Sequence, residues 1–169
     1  MITLRELNAL PVEKFVALLG AVFEHSPWVA ERAAKARPFH SRAQLLNEMR
    51  TVVQRASADE QLALIRAHPQ LGARGRSREQ FTEASAKEQR RAGLDACTDE
   101  EFARLLQLNA AYVEKFSFPF ILAVRGHTPE SILGALQSRL DNDTQSERQT
   151  ALGQIGLIGG YRLEDIVEF

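Results

Sequence analysis

The chain has very little cysteine and no long apolar run. Its 169 residues include a single cysteine, Cys97, so no disulfide can form within the chain, as is typical of proteins from a reducing compartment. The longest apolar stretches, such as residues 118–124, fall far short of the roughly 20 residues that span a bilayer. The N-terminus shows no signal-peptide pattern. These absences predict a cytoplasmic protein with no membrane partner.

An excess of charge of one sign is also missing. The 21 Lys and Arg residues nearly balance the 22 Asp and Glu residues, which leaves a net charge of −1. Because binding to nucleic acid or to anionic lipid generally requires a basic surface, we expect neither partner. A charged ligand must therefore be bound by a local site.

Common cofactor motifs are absent as well. The four histidines show no pair at i and i+4, and one cysteine cannot form a Cys-x-x-Cys motif, so the sequence does not predict a zinc site. No lysine stands in a context that indicates a Schiff base with pyridoxal phosphate. Glycines cluster near the C-terminus, but no predicted strand precedes them, so close helix packing explains them better than a nucleotide loop. This cluster comprises Gly153, Gly156, Gly159 and Gly160.

Helical periodicity is present almost throughout, without the sustained alternation that is typical of strands. A chain of 169 residues that is 44% hydrophobic has the size and composition of one globular domain. Such a chain buries about 70% of its unfolded surface. We therefore predict an all-α helical bundle of roughly eight or nine helices, formed as a single domain over residues 1–169.

Local signals predict where several helices begin. We expect Ser57 to cap a helix that Pro69 terminates, Thr98 to cap a second and Thr128 a third. A long final helix is expected from about Thr144, and a loop over residues 71–78. Pro11 is predicted to be the first residue of a helix. Two apolar faces follow helical spacing. The face after Pro11 comprises Val12, Phe15, Val16, Leu19 and Phe23, and the face after Thr98 comprises Phe102, Leu105, Leu106, Tyr112, Val113 and Phe116.

His68 is the first candidate for chemistry. It follows Leu64 and Ile65 at the predicted C-terminal end of a helix, where the helix dipole favours the imidazolium form. It either bonds a backbone carbonyl at the helix end or acts as an acid and base. An unperturbed histidine pKa of about 6.5 suits proton transfer at neutral pH. The position alone leaves both roles open.

Ser85 and Glu88 have the spacing of a capping box, in which each side chain bonds the other residue's backbone amide. A capped helix start is primarily structural. Its free N–H groups also form a site for an anion or for a urea-like carbonyl. The second interpretation makes residues 85–89 a candidate binding segment.

Three further features combine polar groups with apolar surroundings. Pro119 forbids a smooth helix through residues 116–125, so backbone groups of this apolar segment are left for a ligand or for partner loops. Arg162 shares a predicted helical face with three isoleucines, where it either extends to solvent or pairs with a carboxylate. Asn109 lies on a buried stripe, where it either satisfies neighbouring backbone or supports a site.

Taken in order, these segments are similar to the signatures of the 2-oxo-4-hydroxy-4-carboxy-5-ureidoimidazoline (OHCU) decarboxylase family. The similar segments are Phe23-Glu24-His25-Ser26-Pro27-Trp28 with Arg37-Pro38-Phe39, Ala67-His68-Pro69 with Leu71, Ser85-x-x-Glu88-Gln89-x-x-Ala92-Gly93-Leu94, and Asn109-x-x-Tyr112-x-x-Lys115-Phe116-Ser117-Phe118-Pro119-Phe120. No one motif is specific, but together they extend in the family's order from Phe23 to Phe120. Ser117 stands where the family pattern has glycine, and a positive φ there would strain the turn slightly.

The resemblance implies an all-helical homodimer that converts OHCU to (S)-allantoin in urate degradation without a cofactor. The substrate carries its own electron sink. Because C4, which bears the carboxylate, adjoins the C=N bond of C5, electrons from the breaking C–C bond flow into the imine. The protein has to hold the carboxylate out of the ring plane, help the 4-hydroxyl become a carbonyl, and protonate one face of C5.

On the matching positions the resemblance also implies roles. His68 is the acid and base, Glu88 orients or polarises the reacting centre, and Arg162 binds the substrate carboxylate. Pro69 shapes the pocket wall, and Asn109 supports the site from behind. The ureido group and the ring amides are held by Ser85, Ala86, Lys87, Glu88 and Gln89, together with backbone groups of Phe120, Ile121, Leu122, Ala123 and Val124.

Two other functions stay open on the sequence. One is a helical module that binds a ureide or another protein without chemistry on the same scaffold. The other is a lyase or hydrolase that acts on a different ureide, such as allantoin. The joint presence of His68, Glu88 and Arg162 favours the decarboxylase over the non-catalytic module.

Overall fold

The computed structural model describes residues 1–72 and 82–168. Within them the chain forms nine α-helices, one 3-10 turn and no strand, so the predicted all-α fold is confirmed. The predicted loop over residues 71–78 lies, from residue 73 onward, outside the described residues. The helices are α1 (Leu4–Ala9), α2 (Val12–Leu19), α3 (Trp28–Ala33), α4 (Arg42–Arg55), α5 (Ala58–Ala67), α6 (Glu83–Arg91), α7 (Asp99–Phe116), α8 (Pro129–Arg139) and α9 (Thr144–Ile166), with the 3-10 turn at Ala34–Ala36.

The contacts of the chain divide it into two compact units. The first comprises Met1–Ala67 and Ile155–Phe169, and the second comprises His68–Gln154. The prediction of a single domain over residues 1–169 stays a prediction. No helix in the described part of the chain combines the length and the apolar character that crossing a bilayer requires.

In the first unit α3 packs against α2 and α4. The small residues of α9 let neighbouring side chains approach its backbone. A Cβ atom at Gly156 would lie 2.7 Å from Nε of Arg50, and one at Gly160 would lie 3.0 Å from the Leu46 side chain. The predicted close packing is confirmed at these glycines and at Gly159, but not at Gly153, where a Cβ would meet no atom within 4 Å.

The predicted helix starts are largely confirmed. Thr98 and Thr128 each form a capping box, and the Ser57 hydroxyl accepts a hydrogen bond from the Glu60 amide at 3.1 Å. Pro11 is the residue that precedes α2 rather than its first helical residue, and α2 ends before Phe23. Phe23 is nevertheless buried, because the turn after α2 directs it into the core.

Of the predicted apolar face of α7, Leu105, Tyr112 and Phe116 are buried, Phe102 and Val113 are half-buried, and the prediction is wrong at Leu106. Leu106 is 47% exposed, whereas Leu108 is buried. Because successive helical residues are about 100° apart, Leu106 lies on roughly the opposite side of α7 from Leu108. The buried residues of α7 are Leu105, Leu108, Asn109, Tyr112 and Phe116.

Candidate active site

His68 is the residue that directly follows α5, and it is buried. The helix ends there because Pro69 disfavours helical backbone in the residue before it. The predicted position of His68 at the end of a helix is therefore confirmed. Pro69 is half-buried beside it.

The turn after His68 is held by two other helices of its unit. The Asn109 side chain on α7 donates a hydrogen bond to the Leu71 carbonyl at 3.1 Å, and the Gly72 amide donates to Oε1 of Gln89 on α6 at 3.0 Å. Gly72 has a φ of 71°, and a Cβ there would collide with Leu105. The turn therefore requires glycine and has a defined geometry.

The predicted capping box of Ser85 and Glu88 is wrong. Helix α6 begins at Glu83, and its cap is Thr82, whose hydroxyl accepts a hydrogen bond from the Ser85 amide at 3.2 Å. Threonine is also a favoured cap, and Glu83 and Ala84 favour helix, so the helix extends past Ser85 to the earlier cap at Thr82. The Ala86 amide is also engaged, by the Thr82 carbonyl at 3.0 Å. The amides of Ser85 and Ala86 are thus not the free donors that the sequence suggested.

Side chains of residues 85–89 differ in accessibility. Ser85 is buried, and Lys87 is exposed. Ala86, Glu88 and Gln89 are half-buried. Because Glu88 lies in the interior of α6 and not at its start, its carboxylate has no capping role there.

The segment after α7 is irregular, as Pro119 predicts. The helix ends at Phe116, and Ser117 adopts the left-handed conformation with φ 63° and ψ 22°. This is the positive φ expected at the position where the family pattern has glycine, so the serine carries a modest strain. All five residues of the predicted binding segment are buried: Phe120, Ile121, Leu122, Ala123 and Val124.

A buried polar cluster that the sequence analysis did not predict lies in the same unit. Oε1 of Glu147 accepts hydrogen bonds from the Tyr112 hydroxyl at 2.6 Å and from Nε of Arg139 at 2.5 Å. Burial, followed by the hydrogen bond and charge of Glu147, raises the pKa of Tyr112 far above its ordinary value of 10.0. Tyr112 is therefore a neutral donor at physiological pH. A signal was available, since Glu147 stands four residues before buried Ala151 on the inner face of α9.

Arg162 belongs to the other unit and has a partner within the protein. Its Nη1 lies 2.8 Å from Oε2 of Glu24, and both side chains are buried. It shares its face with buried Ile155 and Ile158, as predicted. Glu24 belongs to the first motif of the family resemblance, but the sequence analysis gave it no role. The assignment of Arg162 to the substrate carboxylate stays a prediction.

No group of three or more His, Cys, Asp or Glu side chains suited to a metal ion occurs among residues 1–72 and 82–168.

Comparison with known proteins identifies the family. The model of the OHCU decarboxylase family matches residues 8–164. A 2-oxo-4-hydroxy-4-carboxy-5-ureidoimidazoline decarboxylase from Haloferax volcanii is 40% identical over 164 residues, which cover 97% of this chain and 95% of that protein. A uric acid degradation bifunctional protein from a Bacillus species is 43% identical over 98% of this chain, which spans only 32% of that protein.

Solved structures agree with this result. The crystal structure of an (S)-allantoin synthase matches with a TM-score of 0.81 and 31% identity, over 99% of this chain and 54% of that one. The structure of an OHCU decarboxylase in the presence of (S)-allantoin matches with a TM-score of 0.70 over 85% of this chain. Its 23% identity makes it evidence for the fold alone.

The fold and these relatives define a carboxy-lyase of the all-helical type. The chain belongs to the OHCU decarboxylase family. The resemblance found in the sequence and its main functional interpretation are confirmed, and the non-catalytic module gains no support.

Proposed function

We propose that this decarboxylase converts OHCU to (S)-allantoin, and that His68 transfers the protons. One observation carries the proposal. The hydrogen bond from the Gly72 amide to Gln89 holds the turn after His68 against α6, the helix that bears Glu88. A buried imidazole and a half-buried carboxylate on adjoining elements are a suitable pair for general acid–base catalysis.

The reaction needs no electron sink from the protein. When the bond from C4 to the carboxylate breaks and CO2 leaves, its electron pair forms the C4=C5 double bond, and the imine electrons move to nitrogen, which takes a proton. The enol formed at C4 then loses its hydroxyl proton and becomes a carbonyl, while C5 gains a proton. His68 accepts the hydroxyl proton and delivers the proton to C5, because imidazole exchanges protons readily near neutral pH.

Delivery of the C5 proton from one side explains a single product enantiomer. The planar intermediate has two equivalent faces in water, and only a fixed donor distinguishes them. Glu88 orients His68 or polarises the reacting centre. Ser85 to Gln89 and the backbone of Phe120 to Val124 hold the ureido group and the ring amides, and Arg162 binds the carboxylate. Asn109 supports this arrangement through its hydrogen bond to Leu71.

Homodimer formation and a cytoplasmic location complete the proposal. The homodimer follows from the family resemblance, whereas the cytoplasmic location rests on the single cysteine of the chain, which is typical of a reducing compartment. Light scattering on the purified protein tests the first. A mass of twice 18.9 kDa supports a dimer, and 18.9 kDa contradicts it.

The test of the activity is direct. OHCU is generated from urate by urate oxidase and hydroxyisourate hydrolase, this protein is added, and circular dichroism follows the product. Rapid formation of one allantoin enantiomer supports the proposal. Racemic allantoin at the spontaneous rate contradicts it, and consumption of allantoin itself would favour a different ureide as substrate.

A further inference from the structure

Glu147 is fully buried, and three side chains donate hydrogen bonds to it. Tyr112 and Arg139 bond Oε1, and the Asn142 amide donates to Oε2 at 3.0 Å. A carboxylate buried in this way is costly unless cationic or polar partners surround it. Buried ion pairs are often no more stable than apolar residues of the same volume, so this cluster calls for a role beyond stability.

Arg139 connects this cluster to the segment at residues 120–124. While its Nε bonds Glu147, its Nη1 donates to the Ile121 carbonyl at 2.5 Å. The guanidinium also lies 4.4 Å from the centre of the Phe120 ring, and that ring packs edge-on against Tyr112. The planar fork of arginine can serve two acceptors in fixed directions, which lysine cannot do. Glu147 thus sets where Arg139 points, and Arg139 sets where Ile121 lies.

Gln154 provides a second anchor for the same segment. Its Oε1, on α9, accepts a hydrogen bond from the Ala123 amide at 2.9 Å. The Ile121 carbonyl and the Ala123 amide are therefore both occupied by side chains of the protein. Leu122 lies between Ile121 and Ala123, and within the described residues its amide and carbonyl make no hydrogen bond to the protein. Its amide and carbonyl form a donor and acceptor pair that matches a ureido or lactam group.

We propose that Arg139, Glu147 and Gln154 are positioning residues of this enzyme, which fix the backbone of residues 120–124 for the substrate. The inference rests on the proposed function, because it assigns these side chains to the segment expected to hold the ureido group. None of them touches the reacting atoms. They act by keeping the Leu122 amide and carbonyl in one orientation.

The sharpest test compares two substitutions at Gln154. Gln154→Glu keeps an oxygen acceptor for the Ala123 amide, whereas Gln154→Met removes it at similar volume. We expect kcat/KM for OHCU to fall about 10- to 100-fold in the methionine variant, since small misplacements of a binding group have effects of that size. The glutamate variant should recover most of the loss. Arg139→Lys should behave like Gln154→Met, because the single ammonium nitrogen of lysine cannot reproduce the separate Nε and Nη1 donors that bond Glu147 and Ile121.

Ile132→Val is the matched control. Ile132 is fully buried on α8, the helix of Arg139, and it has no polar atom that could anchor the segment. The substitution removes one buried methyl group and should leave kcat/KM unchanged. Equal losses of kcat/KM in this control and in the anchor variants would overturn the proposal, because they would indicate a general effect of stability.

Amide hydrogen exchange of the peptide that contains residues 117–125 provides a readout without turnover. Exchange there should accelerate in Gln154→Met and Arg139→Lys and stay unchanged in Ile132→Val. Normal exchange in the anchor variants, or faster exchange with wild-type kcat/KM, overturns the proposal. If the wild-type protein fails to consume OHCU, the proposed function fails, whereas faster exchange in the same variants would still show that these side chains anchor the segment.

Discussion

Arg162 and Glu24 form a buried ion pair across 138 residues of sequence, with 2.8 Å between Nη1 and Oε2. The same Nη1 lies 3.3 Å from the Ala21 carbonyl and 3.4 Å from that of Val22. One guanidinium thus holds the turn after α2. The sequence allowed a carboxylate partner for Arg162 but did not identify Glu24 as that partner.

The first prediction concerns the structural part of Arg162. Glu24→Ala leaves a buried cation without its counter-ion, so we expect the free energy of unfolding to fall by about 3–5 kcal/mol. The control is Glu13→Ala, an exposed carboxylate in the same unit, which should cost about 0.5 kcal/mol or less. Urea unfolding measures both.

The double variant Glu24→Leu/Arg162→Leu should regain stability, because apolar residues can replace a buried pair. If Arg162 binds the substrate, the KM of this double variant for OHCU should lie above the wild-type value. A wild-type KM would show that Arg162 does not bind the substrate.

The second prediction is that His68→Ala lowers kcat by roughly 10²–10⁴, the usual size of general acid–base catalysis. Asparagine at this position should rescue little, because an amide cannot exchange the proton. The residual product should lose enantiomeric excess, since protonation in water has no preferred face. Exposed His40 supplies the control, and His40→Ala should keep wild-type kcat. A folded His68→Ala protein that makes (S)-allantoin at the normal rate would move the search to Glu88.

The third prediction separates the cap of α6 from the chemistry on α6. Thr82→Ala should cost about 0.5–2 kcal/mol of stability with little effect on kcat, because it removes the cap. Glu88→Gln should do the reverse, with an unchanged unfolding midpoint and a lower kcat. Full turnover in Glu88→Gln would show that the carboxylate has no catalytic role.

The fourth prediction concerns pH. The chain has two tyrosines, so Tyr161→Phe leaves Tyr112 alone to be followed by phenolate absorbance. Because folding raises the pKa of Tyr112 above its unfolded value of 10.0, the neutral phenol stabilises the fold below pH 10, and this contribution is lost as the pH rises further. Phenolate should therefore appear only together with unfolding, as measured by far-ultraviolet circular dichroism. Ionisation near pH 10 in folded protein would contradict the buried contact with Glu147.

The fifth prediction is that dialysis against a strong chelator leaves turnover unchanged, because the imine of the substrate accepts the electrons. The rate of OHCU consumption before and after dialysis is the measurement. A loss of activity that a divalent metal restores would show that a metal participates.

Local sequence determined the helical elements and several of their ends. Thr98 and Thr128 cap their helices with side chains that reach only three residues along the chain, so no distant contact has to be known to predict them. Pro119 prevents a continuous helix through its segment by an equally local effect, because proline has no amide hydrogen and its ring clashes with the preceding helical turn. The order of the motifs between Phe23 and Phe120 was likewise sufficient to indicate the family and the reaction.

Only the tertiary structure decided between local alternatives of similar energy. Thr82 and Ser85 are both good caps, and Leu106 and Leu108 are both apolar, so the choice depends on which helix face meets the core. The partners of buried charges were also beyond the sequence. Glu147 bonds Tyr112 from 35 residues away, and such pairs are set by the packing of helices rather than by spacing along the chain. A single sequence records the residue types at these positions, but which donor meets which acceptor follows only once the helices have packed.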